Sequence, residues 1–284
     1  MNRYLVKNAK SLCKTLVLLS TITLVLVYLD VHVRPTSSKA YKYKVRCRGV
    51  REGNPLVECG YQPMNTTEYS NLSTIVSIQW LYAHLPEVQN GSGELVVLDT
   101  SWTDNATVDG YHSFFRQGHI PGARYFDLNK CVQSTPILPR NIPNIGCFQE
   151  YIRSLGVYTH TRVILYDRMD TAPSGRTWWV LRLFGHERVS ILDGGMRKWL
   201  HDGFRITTME TPPPIRSNFG ALMRSELVRD IRSMLNNLYT KTEQVADARG
   251  ERSFIGQILP NGTRIGGHIP GSVILLMVPS STKT

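Results

Sequence analysis

The pentapeptide GHIPG occurs twice in this chain, at residues 118–122 in QGHIPGARYF and at residues 267–271 in GGHIPGSVIL. A short apolar run that ends in an aspartate precedes each copy. The spacing from Asp99 of VVLD to His119 is one position shorter than the spacing from Asp247 of VADAR to His268. A strand, an insert and the pentapeptide therefore recur in the same order, which indicates an internal repeat.

The second copy of this unit is the shorter one. A further apolar run, VILYD, follows His119 in the first copy and ends at Asp167. In the second copy the sequence stops at Thr284, soon after His268 and well before the position that would correspond to Asp167. We therefore expect an incomplete second repeat.

Short apolar runs alternate with helical patterns through the first copy. The predicted strands are Val96–Leu98, Val163–Tyr166 and Ser190–Leu192, and the intervening segments CFQEYIRSLG, RTWWVLRLFGH and MRKWLHDG have helical periodicity. Nearly continuous apolar strands separated by helices predict an α/β fold, in which helices cover both faces of a parallel sheet. Ligands of such sheets bind where the strands end, at Asp99, Asp167 and Asp193.

The flanking segments set the predicted domain boundaries. LSTIVSIQWLYAHL predicts a helix with Ile75, Ile78 and Tyr82 on one face, and SELVRDIRSMLNNL predicts another with a stripe of Leu227, Ile231, Leu235 and Leu238. The Pro-rich TPPPIRSNFG reads as a linker. We predict a first domain over 72–210, a linker over 211–224 and an incomplete second domain over 225–284.

The N-terminal segment predicts a membrane anchor. The apolar run Thr15–Leu29 lies within a basic segment over 1–33, and a basic, polar stalk follows over 34–71. Because much of the net charge of +11 flanks this run, membrane contact explains it better than nucleic-acid binding. An uncleaved, single-pass anchor is expected, with a cleaved signal peptide or a mitochondrial presequence as the alternatives.

Sequons and cysteines bear on the compartment. Five N-x-S/T triplets follow the anchor, which favours a lumenal or extracellular body over unmodified sequons in the cytosol; they begin at Asn65, Asn71, Asn90, Asn105 and Asn261. Of five cysteines, Cys47 and Cys59 are candidates for a disulfide, whereas Cys131 is expected to be a buried structural thiol. Cys147 precedes a helix whose N-terminus could lower its pKa. Their spacing predicts neither a metal site nor a cofactor.

The motifs VVLDTSW, GHIPGARYFDLNKC, RTWWVLRLFGH, ILDGGMRKWL and VADAR, in this order, resemble the tandem rhodanese-domain sulfurtransferases, which act on thiosulfate or 3-mercaptopyruvate. The likeness runs from VSIQWLYAHL to the second GHIPGS. It implies that the second domain carries a cysteine in a loop at a strand end. The thiolate would attack a sulfane sulfur, form a persulfide and pass the sulfur to a thiophilic acceptor. The first domain would be non-catalytic and would contribute to the cleft.

The sequence departs from that pattern at the nucleophile. The matching loop of the first copy, YDRMDTAPSGR, carries Asp167 and no cysteine, and the cysteine loop of the second copy would fall beyond residue 284. We therefore expect this chain to lack the catalytic cysteine and to be inactive. The alternative is a membrane-tethered pseudoenzyme that binds a small sulfur-containing anion or an unidentified protein.

The remaining candidate residues have binding or structural roles. The resemblance implies that Arg197, in GGMRKWL, faces the substrate anion, and an arginine fork suits thiosulfate or a carboxylate. His119 and His268 are expected to anchor the turn before a strand. Asp167 and Asp247, together with Asp99 and Asp193, are expected to cap their loops.

Overall fold

The computed structural model describes residues 15–18, 46–48, 56–60, 73–103, 108–134, 141–169, 171–259 and 265–275. Their helices and strands are, in chain order, β1 (Thr15–Leu18), β2 (Arg46–Arg48), β3 (Leu56–Gly60), β4 (Ile75–Val76), α1 (Ile78–Ala83), α2 (Leu85–Gln89), β5 (Leu95–Asp99), a π-helix (Tyr111–Phe115), β6 (Arg124–Tyr125), α3 (Ile145–Ser154), β7 (Arg162–Tyr166), α4 (Ala172–Leu183), β8 (Val189–Leu192), α5 (Gly195–His201), a 3₁₀ turn (Ser225–Leu227), α6 (Ile231–Thr240), β9 (Gln244–Asp247), α7 (Glu251–Phe254) and β10 (Val273–Leu275).

The chain separates into two compact units. The larger unit comprises Met64–Ser134 and Arg140–Ser225, and the smaller one is built on Glu226–Thr284 with the N-terminal strands. The larger unit contains the first GHIPG copy and the smaller unit the second.

A parallel five-stranded sheet forms the centre of the larger unit. The strand order is β4-β8-β7-β5-β6, and every neighbouring pair is parallel. Val96 pairs with Val163, which in turn pairs with Val189. The three strands predicted from the sequence are therefore confirmed as neighbours in one parallel sheet.

Helices cover both faces of this sheet, as predicted. Leu95 and Val97 of β5 pack in a core with Ile78 and Leu81 of α1 and with Trp199 of α5. Because side chains alternate along a strand, Val96 and Leu98 point to the other face, and they are equally buried. On that face α4 packs against β7 and β8, and the ring of Phe148 in α3 packs at a tilt against Phe184 at the end of α4, with ring centroids 4.6 Å apart.

The smaller unit has its own sheet, in the order β1-β9-β10-β3-β2. The first four strands are joined by parallel pairs, whereas β2 runs antiparallel to β3 and places Cys47 opposite Cys59 in register. The side chains of these two cysteines lie outside the described part of the chain, so their disulfide stays a prediction.

The structure differs from the sequence prediction at two helices, of which α1 is the first. Ile75 lies in strand β4, because Ser77 caps the next helix by accepting a hydrogen bond from the Trp80 amide (3.1 Å), and α1 therefore begins only at Ile78. Tyr82 is 53% exposed, so it shares no buried face with Ile78.

The predicted helix over 225–238 is also wrong in its start and its face. Asp230 is the N-cap of α6, since its carboxylate accepts from the Ser233 amide at 2.8 Å, and Leu227 falls in the 3₁₀ turn before it. Ile231 and Leu235 are exposed, and Met234 is the buried residue of this helix.

Most of the predicted anchor Thr15–Leu29 lies outside the described residues; its first four residues form β1. Among the residues described, no helix is both long and apolar enough to cross a bilayer. Asn65, Asn71, Asn105 and Asn261 also lie outside the described residues, whereas Asn90 is exposed and its side-chain carbonyl accepts from the Ser92 amide at 2.9 Å. The anchor and the glycosylation sites stay predictions.

Candidate functional site

The loop after β7 lies at the carboxyl ends of the strands, where parallel sheets bind their ligands. Asp167 follows β7 directly and is 3% exposed. Its carboxylate accepts hydrogen bonds from the amides of Met169 (2.8 Å), Thr171 (3.3 Å) and Ser174 (3.0 Å). Three convergent amides at the start of α4 form an anion cradle, and the carboxylate of Asp167 itself occupies it.

The backbone of this loop is fixed from two sides. Thr171, the N-cap of α4, has a left-handed φ of 69°. On the other side, the Met196 amide donates to the Asp167 carbonyl at 3.0 Å. Only glycine fits at position 195, since a Cβ there would lie 2.6 Å from the Asp167 carbonyl oxygen. These contacts fix the loop conformation, in which the three amides already have the Asp167 carboxylate as their acceptor.

A buried polar group connects the ends of β5 and β7 to the first GHIPG copy. One Asp99 oxygen accepts from the Ser101 amide at 2.9 Å, and the other has no hydrogen-bond partner. Burial raises the pKa of Asp99, while hydrogen bonding from Ser101 and the charge of Arg168 oppose that rise. Arg168 donates from its guanidinium to the Gly118 carbonyl, which holds the start of the pentapeptide.

His119 and His268 form the same two contacts in the two copies, although His119 is buried and His268 is exposed. The Nδ1 atom of His119 lies 3.0 Å from the Phe115 carbonyl, and its ring stacks on Phe115 at 3.7 Å. The Nδ1 atom of His268 lies 2.8 Å from the Phe254 carbonyl, and its ring stacks on Phe254 at 3.7 Å. Since each Nδ1 faces a carbonyl, we assign the ring proton to it. Burial lowers the pKa of His119 below its ordinary value, which favours the neutral ring.

Asp247 of the second copy is held differently from Asp99. Its carboxylate accepts from the Arg249 amide at 3.0 Å and forms a two-pronged ion pair with the Arg249 guanidinium, the shortest bond being 2.6 Å. The same guanidinium donates to the Gly267 carbonyl at 2.7 Å. Asp247 and Arg249 thus fasten β9 to the second pentapeptide.

Arg197 lies on α5, which follows β8, and its side chain is exposed. It forms no ion pair with any residue that the structure describes. Its predicted contact with a substrate anion stays a prediction.

Asp193, at the end of β8, departs from the loop-capping role predicted for it. Its carboxylate accepts no hydrogen bond from the residues that the structure describes. Burial raises its pKa, and the charge of Lys198 opposes this rise.

Cys131 and Cys147 form a disulfide, so the prediction of a buried free thiol at Cys131 is wrong. Asn144 brings the two together: its amide donates to the Cys131 carbonyl (2.9 Å), and its side chain accepts from the Cys147 amide (3.0 Å). The spacing of the two cysteines gave no signal of this pairing, because the contact depends on how the loop returns to α3. Neither sulfur is a free nucleophile in this state.

Metal ligands do not cluster in the described ranges, where no group of three or more His, Cys, Asp or Glu residues could hold an ion.

Similarity to known proteins places this geometry in a family. Residues 78–202 match the rhodanese-like domain family. Thiosulfate sulfurtransferase of Bos taurus is 34% identical over 204 residues, which cover 70% of this chain and 67% of the bovine protein. This chain belongs to the rhodanese family. Mouse 3-mercaptopyruvate sulfurtransferase is 36% identical over 204 residues, with the same shares of each chain covered.

The rhodanese fold is also found among solved structures. SseA of Escherichia coli, described as a 3-mercaptopyruvate sulfotransferase, superposes with a TM-score of 0.62 at 29% identity. The superposition covers 71% of this chain and 74% of that one.

Proposed function

We propose that this rhodanese-family chain serves sulfane sulfur transfer, with the larger unit as the repeat that carries no nucleophile. Relatives named thiosulfate sulfurtransferase and 3-mercaptopyruvate sulfurtransferase support this class of reaction. A cysteine thiolate would attack the outer sulfur of thiosulfate, the S–S bond would break, and sulfite would leave with its electron pair. A thiophilic acceptor such as cyanide would then take the sulfur and regenerate the thiolate.

The assignment of the larger unit as the repeat without a nucleophile rests on the carboxylate of Asp167. It occupies the place where a nucleophilic thiolate would accept hydrogen bonds from the backbone amides of Met169, Thr171 and Ser174. A carboxylate can accept these hydrogen bonds but cannot hold a sulfane sulfur. We therefore expect the polypeptide of residues 1–284 to show no turnover of thiosulfate or 3-mercaptopyruvate.

A cyanide-acceptor assay on the purified protein of residues 1–284 tests this expectation. It is repeated after reduction and with the variants Cys131→Ala and Cys147→Ala, since reduction frees those thiols. Turnover that either substitution abolishes would place the nucleophile in the disulfide and overturn the assignment.

The Asp167→Cys variant tests the cradle itself. We expect its thiol to take up one sulfur atom from thiosulfate, visible by mass spectrometry, because amide donors stabilise thiolate and lower its pKa. Asp167→Ser is the matched control and should gain nothing. Failure of a folded Asp167→Cys protein to take up sulfur would mean that this loop is not the counterpart of a nucleophile loop.

A second candidate is a rhodanese-like pseudoenzyme that binds an anion or a protein without turnover. The exposed Arg197 next to a loop with no cysteine favours it. Saturable thiosulfate binding that Arg197→Gln abolishes, in a protein with no turnover, would support this candidate over a complete sulfurtransferase.

A further inference from the structure

A cavity of about 350 Å³ lies beside strand β6 in the larger unit. Its walls are mainly apolar and include Val88, Pro213 and Ile215, and its polar lining includes Arg124 and Glu210. None of its lining residues belongs to the Asp167 loop, so the cavity is separate from the candidate site above.

The cavity is held open by the segment that follows α5. His119 and Thr207 exchange two backbone hydrogen bonds of 2.9 Å, and the Thr211 hydroxyl donates to the Ala123 carbonyl at 2.6 Å. Further along, Pro214 packs on Gly156, where a Cβ would lie 2.6 Å from the proline side chain. These contacts fix the Pro-rich wall against the GHIPG turn, so a ligand would find the cavity already formed.

Arg124 is the unusual member of the lining. Its Nη1 atom donates to the Leu155 carbonyl at 3.1 Å, and its Nε atom is shielded from solvent without a hydrogen-bond partner. Burial lowers the pKa of Arg124, and no acidic group opposes that effect. Within the described ranges, no carboxylate pairs with this guanidinium. A partly desolvated cation without a counter-charge is costly, and an anion would offset that cost.

Glu210 does not supply the missing counter-charge. Its carboxylate accepts from the Arg116 guanidinium and from the Tyr111 hydroxyl, the latter at 3.5 Å. The cavity therefore presents one neutralised acid, one unpaired cation and an apolar wall.

We propose that this cavity binds a small monocarboxylate with an apolar body. One guanidinium matches one carboxylate in a forked pair, whereas a doubly charged phosphate would leave a charge against the apolar wall. The volume lies at the lower end of the range for small-molecule sites, which suits a molecule of about a dozen heavy atoms.

The probe is 4-phenylbutyrate, and its neutral analogue 4-phenylbutanamide is the matched ligand control. Both are titrated into the protein of residues 1–284 by calorimetry at low and high salt. We expect the acid to bind with a Kd on the order of 0.1 to 1 mM, and at least about fivefold more tightly than the amide at low salt. Salt should narrow this difference, because it screens the pairing with Arg124.

Ile215 offers a variant pair that spares the fold, since its side chain lines the cavity and is 79% exposed. Ile215→Glu places a competing carboxylate at the cavity and should weaken binding of the acid by about fivefold or more, whereas Ile215→Gln should stay within about twofold of wild type. Equal binding of acid and amide, no binding of the acid, or equal effects of the two substitutions would each overturn the proposal.

Arg124→Met removes the cation directly. In a variant that remains folded by circular dichroism, the acid should lose its advantage over the amide. If the variant unfolds, the Ile215 pair decides the outcome alone.

Discussion

In both GHIPG copies an arginine guanidinium donates to the carbonyl of the first glycine, but the arginine comes from a different part of the repeat in each copy. In the second copy, Arg249 lies two positions after Asp247, pairs with it and donates to the Gly267 carbonyl. In the first copy, Ser101 stands two positions after Asp99, and the bond to the Gly118 carbonyl comes from Arg168 at the end of another strand. The Ser101 hydroxyl accepts from the Arg168 amide at 3.1 Å, which joins the two strand ends.

The two repeats therefore differ in how they compensate the negative charge of the buried aspartate. Both oxygens of Asp247 receive hydrogen bonds from the Arg249 guanidinium. Asp99 is equally buried, but one of its oxygens is unpaired and burial raises its pKa. The contact between the pentapeptide histidine and a phenylalanine recurs in both copies, although Phe115 lies four residues before His119 and Phe254 lies 14 residues before His268. The two copies also differ in how the aspartate charge is compensated.

The largest effect is expected from removing the Arg249 guanidinium, which bridges Asp247 and the Gly267 carbonyl in the second copy. Arg249→Met should lower the local stability of β9 by about 3 kcal/mol, because it leaves the buried Asp247 carboxylate without its guanidinium partner. Amide hydrogen exchange at Gln244–Asp247 should then accelerate by roughly a hundredfold. Arg168→Met should cost the first copy about half as much, since the Arg168 guanidinium forms no hydrogen bond to Asp99 and the variant loses only its bond to the Gly118 carbonyl.

Arg252→Met is the control for this comparison, because Arg252 is exposed and close to Arg249. It should change exchange at β9 only slightly. Equal losses for Arg249→Met and Arg168→Met would show that the two copies are held in the same way after all.

The strands of the larger unit could be predicted from the sequence, whereas the contacts of Arg168 and Arg249 with the pentapeptide carbonyls could not. Val96–Leu98 and Val163–Tyr166 are continuous apolar runs, and a strand buried on both faces needs little else to be recognised. Helix starts failed where one capping side chain decides, as at Ser77 and Asp230. The role of Arg168 depends on two strand ends that are distant in sequence, and no spacing rule encodes that contact.

The second expected effect sharpens the comparison by weakening the larger unit through its own disulfide. Cys131 and Cys147 close a loop in the larger unit, so reduction should lower its free energy of unfolding by about 3 kcal/mol. Exchange at Arg162–Tyr166 should accelerate on adding a thiol reductant, whereas exchange at Gln244–Asp247 should respond only through the predicted Cys47–Cys59 disulfide of the smaller unit.

The double variant Cys131→Ala/Cys147→Ala is the control for that experiment, since its exchange at Arg162–Tyr166 should not respond to reductant. A wild-type protein whose larger unit is equally stable with and without reductant would contradict the prediction. The identity of this pair lay outside the sequence patterns for the same reason as Arg168: the Asn144 turn that joins the two cysteines is a tertiary contact.

The smallest expected effect concerns Asp99 and depends on pH. Its folded pKa lies above the ordinary value of 3.8, so the folded state keeps a proton that the unfolded state loses as pH rises past 3.8, and wild-type stability falls across that window. Asp99→Asn removes this loss while keeping an oxygen for the Ser101 amide, and should stabilise the larger unit at neutral pH by about 1 kcal/mol or less. The gain should vanish below the pKa of the unfolded state, where Asp99 is neutral in both states.

Asp247→Asn is the matched variant and should instead destabilise β9 at neutral pH, because it breaks the ion pair with Arg249. Denaturant unfolding at neutral and acidic pH measures both signs, and a clear loss of stability for Asp99→Asn at neutral pH would show that its charge is compensated as fully as that of Asp247.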